Sequence, residues 1–200
     1  MAPKILLIAC GALARELVLL VEQNGWQHLK IQCLPAELHN TPQKIPAAVV
    51  AAVERYRNDY SHIFVAYADC GTGGQLDKAL APYGIERLPG AHCYEFFTGA
   101  GAFAEFCDSE PGTFYLTDFL VRHFERLVIK GLGLDRHPEL KDEYFRNYTR
   151  VIYLAQSRSA GLSQLAKQHA NYLGLPCVEH FTGLDPVNNI FREHSIQWQN

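Results

Sequence analysis

The sequence lacks the short signatures that most often identify a site. It contains no CxxC pair, so the local zinc signature is absent, and no GxGxxG or GxxxxGK[ST] stretch supports a nucleotide site. It also has no GxSxG elbow of the kind found in serine hydrolases. A function must therefore come from residues that only the folded chain brings together.

Charge of one sign and long apolar runs are also missing. The formal net charge is only -3, which gives no electrostatic reason to expect nucleic acid or anionic lipid as a partner. The apolar run near the N-terminus is too short for a membrane span and soon meets Arg15 and Glu16. We expect a cytoplasmic protein without a membrane partner, whose partners are small molecules or proteins. Its six cysteines should then be mostly reduced thiols.

The composition is that of an ordinary globular chain, with 48% hydrophobic and 20% charged residues. Strand patterns alternate with helical patterns along the whole length, which predicts an α/β fold with a mostly parallel, doubly wound sheet and helices on both faces. We expect a single α/β domain over residues 1–200. If the chain forms two small lobes, the division falls near residues 109–112. The tail from residue 182 shows no clear period.

Three cysteines directly follow predicted strands, at the strand ends where α/β sheets bind ligands. They are Cys10, Cys70 and Cys93. If the three strands are neighbours, the sulfurs converge and suit a zinc ion with one open position, or a [4Fe–4S] cluster with one free iron. The alternative is that each is a small core residue, because free cysteine is among the most buried residue types. The remaining cysteines, at 33, 107 and 177, are assigned to packing.

Two histidines and a glutamate accompany these thiols. His92 is a candidate ligand or general acid/base, and Glu95 is a candidate to orient it or to share that role. The alternative for both is a polar turn without catalytic function, in which the histidine ring is simply hydrogen-bonded. His39, in the loop after the second strand, is a candidate fourth ligand or acid/base.

The glycine-rich turn after Cys70 is a candidate for binding an anionic part of a substrate or cofactor, through backbone N–H groups and a helix N-terminus. Its residues are Gly71, Thr72, Gly73 and Gly74. A tight turn without ligand is the alternative. Asp69 before it either ligates a metal or caps the turn. Farther along, Ser157 and Arg158 are weighed as an anion site against plain helix capping by Ser159, and capping also accounts for Asp118.

Five segments together resemble an uncharacterised bacterial and archaeal family, domain of unknown function 1638. They are Ala9-Cys10-Gly11-Ala12-Leu13, Leu38-His39-Asn40, Tyr67-Ala68-Asp69-Cys70-Gly71-Thr72-Gly73, His92-Cys93-Tyr94-Glu95 and Phe114-Tyr115-Leu116-Thr117-Asp118-Phe119. The resemblance covers about residues 4–185. It implies a setting in corrinoid-dependent one-carbon metabolism, in which methyl groups move between amines or thiols, a cobalamin protein and folate. No family catalytic residues carry over, and the motifs of a cobalamin-binding module are not evident, so a corrinoid is expected only through a partner protein.

These observations lead to one hypothesis and two alternatives. The hypothesis is a metal-dependent cytoplasmic enzyme that acts on a small molecule in one-carbon or methyl-transfer metabolism, with zinc or an iron–sulfur cluster held by Cys10, Cys70 and Cys93. The first alternative is a non-catalytic metal or cofactor carrier that serves a corrinoid methyltransferase. The second is a binding domain without a metal.

Overall fold

The chain folds into two compact units. The computed structural model describes residues 4–109 and 111–198. One unit takes in the chain up to Cys93 and again from Asn188, and the other is Tyr94–Val187. Each unit has its own three-stranded parallel sheet. The predicted parallel α/β architecture is confirmed, in two small sheets. From the sequence, a division between lobes is expected near residues 109–112, of which Glu110 lies outside the described residues. In the structure the first unit instead ends at Cys93 and the second begins at Tyr94.

In the first unit, β1 (Ile5–Cys10) lies between β2 (Leu29–Leu34) and β3 (His62–Ala66). Every residue of β1 is buried, which explains its unbroken apolar run, because a central parallel strand is covered on both faces. The pairing of β1 with β3 ends at Ala9 opposite Ala66, so the residues after both strands emerge side by side.

The helices of this unit follow the strands as expected for βαβ units. They are α1 (Ala14–Gln23), α2 (Ile45–Tyr56) and α3 (Gln75–Leu80). A short 3-10 turn, Pro42–Lys44, leads into α2.

In the second unit, β5 (Arg150–Ala155) lies between β4 (Thr113–Thr117) and β6 (Cys177–Phe181), all parallel. Its helices are α4 (Tyr94–Thr98), α5 (Ala100–Ser109), α6 (Asp118–Arg122), α7 (Leu140–Phe145) and α8 (Ala160–Leu173). The sequence predicts one helix over 119–130, but α6 ends at Arg122 and a π-helical segment, Glu125–Lys130, follows.

The tail contains a helix that the sequence pattern did not predict. This helix, α9 (Asp185–Trp198), leads back into the first unit. Phe191 is buried and its ring meets Phe64 of β3 edge-on at 6.5 Å, while Asn24 donates a 2.9 Å hydrogen bond to Asn188. Such packing stabilises a helix whose own sequence gives a weak signal.

Within the described part of the chain, no helix combines the length and the apolar character needed to cross a membrane.

Candidate thiol site in the first unit

A further strip of backbone lies along β3 and brings Cys93 to Cys70. Residues 86–91 run parallel to the end of β3 and to the turn after it, with Val65 and Arg87 forming a bridge. Four backbone hydrogen bonds hold the strip there: Val65 N–H to Glu86 O at 3.0 Å, Leu88 N–H to Val65 O at 3.0 Å, Asp69 N–H to Gly90 O at 3.1 Å and Cys70 N–H to Ala91 O at 2.8 Å. This pairing places the segment that carries Cys93 beside the turn that carries Cys70.

The Sγ atoms of Cys70 and Cys93 are 2.9 Å apart, and both residues are half-buried. The hydrogen bond from Cys93 lowers the pKa of the Cys70 thiol, because it stabilises the thiolate. The pKa of Cys93 is raised well above its usual value, first by that same bond and then by burial. Cys70 is therefore the more acidic thiol of the pair, and Cys93 keeps its proton to a higher pH.

Cys10 and Tyr67 lie close enough to Cys70 for these groups to affect one another's pKa. Cys10 ends β1, where it is buried, and its Sγ accepts a 3.5 Å hydrogen bond from the amide of Ala12. Burial raises the pKa of Cys10 to about 11, with a smaller contribution from Cys70.

Tyr67 also lies beside these thiols, although the sequence pattern did not mark it as a candidate. Its side chain is only 1% exposed, and its pKa is raised by burial and then by the neighbouring thiols of Cys10, Cys93 and Cys70. Cys10 is close enough to affect it, yet no hydrogen bond of good geometry to the hydroxyl is found among the described residues. The signal available in the sequence was a polar-tipped aromatic directly after a buried strand.

As the chain stands, residues 4–109 and 111–198 contain no group of three or more His, Cys, Asp or Glu side chains arranged to hold a metal ion. The Cys70 and Cys93 sulfurs meet, whereas Cys10 is near them without sharing their contact. The three-cysteine metal centre therefore stays a prediction.

The glycine-rich turn is built around Asp69. The Asp69 carboxylate accepts hydrogen bonds from the Thr72 hydroxyl at 2.6 Å, the Gly73 amide at 2.9 Å and the Gly74 amide at 2.7 Å. These bonds, that of Thr72 first, lower the pKa of Asp69. Of its two expected roles, metal ligand and turn cap, Asp69 therefore has the second. The binding of an external anion by Gly71, Thr72, Gly73 and Gly74 stays a prediction.

This turn needs left-handed backbone conformations in quick succession. Gly71, Gly73 and Gly74 have φ values of 82°, 60° and 77°, and Cys70 has 49°. Among the described residues Cys70 is the only non-glycine with positive φ. That conformation costs an L-residue on the order of 1–2 kcal/mol, and such strain is concentrated at functional sites.

We predict that Cys70→Gly is more stable than Cys70→Ala by about 1 kcal/mol, because alanine keeps the left-handed strain that glycine removes. At Cys93, which has no positive φ, the usual order with alanine the more stable is expected. Urea unfolding of the four variants measures this. Equal stability of the two Cys70 variants would show that the backbone strain is absent.

The predicted acid/base residues are divided between the two units. His92 is exposed and directly precedes Cys93. His39 lies near it: the pKa of His39 is lowered first by partial burial and then by the charge of His92. Glu95 lies in the first turn of α4 and belongs to the second unit. The catalytic roles of His92 and Glu95 stay predictions.

The carboxyl edge of the second sheet holds a buried network around Asp118. Asp118, 2% exposed, accepts hydrogen bonds from the Tyr153 hydroxyl at 2.6 Å, the Gln156 amide at 3.1 Å and the Ser157 hydroxyl, and its carboxylate lies 3.8 Å from the guanidinium of Arg122. Burial and the bond to Asp118 raise the pKa of Tyr153.

The expectation that capping accounts for Asp118 is wrong, because the N-cap of α6 is Thr117, whose hydroxyl accepts a hydrogen bond from the Leu120 amide. The Asp118 carboxylate instead joins the ends of β4 and β5. The hydroxyl of Ser157, a candidate anion ligand in the sequence, donates its hydrogen bond to Asp118.

The fold is that of an α/β protein, with a group of cysteines near the carboxyl edge of a parallel sheet. The chain belongs to the family described as Protein of unknown function (DUF1638), whose family model matches residues 33–191. The match includes Cys70 and Cys93 and begins after Cys10. No curated protein and no solved structure gives a significant match.

Proposed function

We propose that the thiol site binds one thiophilic metal ion, zinc in the first instance, and that the protein is an enzyme of one-carbon metabolism acting on a small molecule. The observation that carries the proposal is the gathering of Cys10, Cys70 and Cys93 around the buried Tyr67 hydroxyl. Cysteine thiolates are preferred zinc ligands, and three protein ligands leave the open position that a catalytic zinc needs.

The spacing of the sulfurs favours a single ion over a cluster. Two thiolates on one tetrahedral zinc, each at ~2.3 Å, stand roughly 3.8 Å apart. Cys70 and Cys93 at 2.9 Å need only a small separation to reach that distance. In a [4Fe–4S] cluster each cysteine binds a different iron, which demands a much wider spacing. The cluster stays the second cofactor candidate.

Cys10 is the third ligand of this proposal, and it has to turn toward the pair. Its Sγ accepts a long hydrogen bond from the Ala12 amide, at 3.5 Å. Tyr67 supports the choice of Cys10 as a ligand, because its buried hydroxyl has no good acceptor and can donate a hydrogen bond to a metal-bound thiolate.

A bound zinc would lower the pKa of a coordinated thiol or water and so supply a nucleophile for group transfer. On this proposal His92, which is exposed and directly precedes Cys93, exchanges a proton with the substrate. An anionic substrate group is expected at the turn of residues 71–74, where it has to compete with Asp69 for the amides.

The metal proposal is tested by anaerobic purification with zinc supplied, followed by metal analysis and an absorption spectrum. We expect about one zinc per chain and a colourless protein, with most of the metal lost in Cys70→Ser and Cys93→Ser and retained in Cys107→Ser, whose exposed thiol is the matched control. Visible absorption with bound iron would favour the cluster. A metal-free protein, unaffected by Cys70→Ser, would refute both forms.

Turnover separates the enzyme from its alternative, a non-catalytic carrier that serves a corrinoid methyltransferase. We expect the isolated zinc protein to transfer the methyl group of a methylated thiol or amine to a small thiol added as acceptor, and His92→Gln to lower that rate while leaving the zinc content unchanged. A protein that binds zinc, shows no turnover alone and activates a corrinoid methyltransferase when added to it would support the carrier.

A further inference from the structure

Cys70 and Cys93 are positioned for chemistry that requires no metal. Their sulfurs, at 2.9 Å, are roughly 0.9 Å farther apart than the ~2.05 Å of a disulfide bond. The backbone holds this arrangement, because the amides of Asp69 and Cys70 bond to the carbonyls of Gly90 and Ala91 and so keep the two chain segments aligned. The two sulfurs therefore start only a short distance from bonding, on segments that backbone hydrogen bonds align.

The pair is also reachable from solvent. Cys70 and Cys93 are both half-buried, whereas Cys10 is buried. The turn after Cys70 is open at Gly73 and Gly74, where an added Cβ atom would meet nothing within 4 Å apart from its chain neighbours, while at Gly71 it would meet Pro42 at 3.5 Å. Because Cys70 is partly exposed, it is the sulfur that we expect a small disulfide to meet first.

We propose that Cys70 and Cys93 form a reversible disulfide by exchange with a low-molecular-weight disulfide of the glutathione class. The Cys70 thiolate attacks one sulfur of the small disulfide, whose S–S bond breaks and releases one small thiolate, leaving a mixed disulfide on Cys70. The Cys93 sulfur, having given up its proton, then attacks the Cys70 sulfur and releases the second small thiolate. The protein loses two electrons and two protons, and the small disulfide becomes two thiols.

This inference rests on the contact between the two sulfurs and not on the proposed metal. An oxidised pair has no thiolate to offer, so oxidation and metal binding exclude one another at these two residues. Because the chain is treated with a chelator before oxidation, failure to form the disulfide is distinguishable from failure to bind zinc.

The test is to equilibrate the chelator-treated chain anaerobically with glutathione buffers from mostly reduced to mostly oxidised, then quench with acid, alkylate and map the peptides. Trypsin followed by cleavage after glutamate is needed, because Glu95 and Glu105 lie between Cys93 and Cys107. We expect a Cys70–Cys93 link that changes from minor to dominant across the series.

Variants assign the steps. In Cys93→Ser the mixed disulfide between Cys70 and glutathione should accumulate, because the resolving thiol is gone. Cys107→Ser should form the link as the wild type does. Full alkylation of Cys70 and Cys93 at every buffer ratio, or a dominant link from Cys10 to Cys70, would overturn the proposal. The wild-type map alone decides this, so the result does not depend on any variant folding.

Discussion

Asp118→Ala is expected to lower the free energy of unfolding of the second unit by about 3–5 kcal/mol, because it leaves buried donors without their acceptor. The hydroxyls of Tyr153 and Ser157 and the Gln156 amide all donate to this carboxylate. Their losses do not simply add, since the groups share one partner. Urea unfolding followed by hydrogen exchange of the two units measures the effect, and protection should fall mainly in β4 and β5.

The control is Asp135→Ala in the same unit, where the partly exposed Asp135 lies 3.9 Å from the exposed Arg136. A change of less than about 0.5 kcal/mol is expected there, since surface ion pairs contribute little. Asp118→Asn should fall between the two, because the amide oxygen keeps one acceptor. Equal effects of the Asp118 and Asp135 variants would mean that the buried network contributes no stability.

Arg87→Ala is expected to cost about 2–3 kcal/mol and to detach Cys93 from Cys70, because charge-assisted bidentate bonds are among the strongest in proteins. The Arg87 guanidinium binds both carboxylate oxygens of Asp77, at 2.6 and 2.8 Å, and the carbonyl of Leu88 at 2.7 Å. Its side chain is only 16% exposed. Loosening the strip of residues 86–91 should raise the alkylation rate of Cys93.

Arg57→Ala is the matched control, since the Arg57 pair with Glu54 at 3.2 Å is exposed on both sides. It should change stability by less than about 0.5 kcal/mol and leave Cys93 alkylation unaltered. If Arg87→Ala also leaves the alkylation rate of Cys93 unaltered, the strip of residues 86–91 is held by its backbone bonds alone.

Much of this architecture is readable from local pattern. The buried run before Cys10 reports a strand covered on both faces, because such a strand has no polar side. The glycines after Cys70 report left-handed backbone, because other residues pay for that conformation. The alternation of strands and helices predicts parallel sheets, and it cannot tell one sheet from two, since strand order depends on contacts between distant residues.

The sequence by itself determined that Cys10, Cys70 and Cys93 follow strand-like segments, because apolar runs and glycine-rich turns are local signals. Only the tertiary structure decided which of them meet. The contact of Cys70 with Cys93 depends on a strip of residues 86–91 that pairs with β3 through backbone hydrogen bonds, and such bonds leave no trace in side-chain periodicity. The buried hydroxyl of Tyr67 among these thiols, and the packing of α9 against β3 through Phe191, likewise arise from residues far apart in the chain.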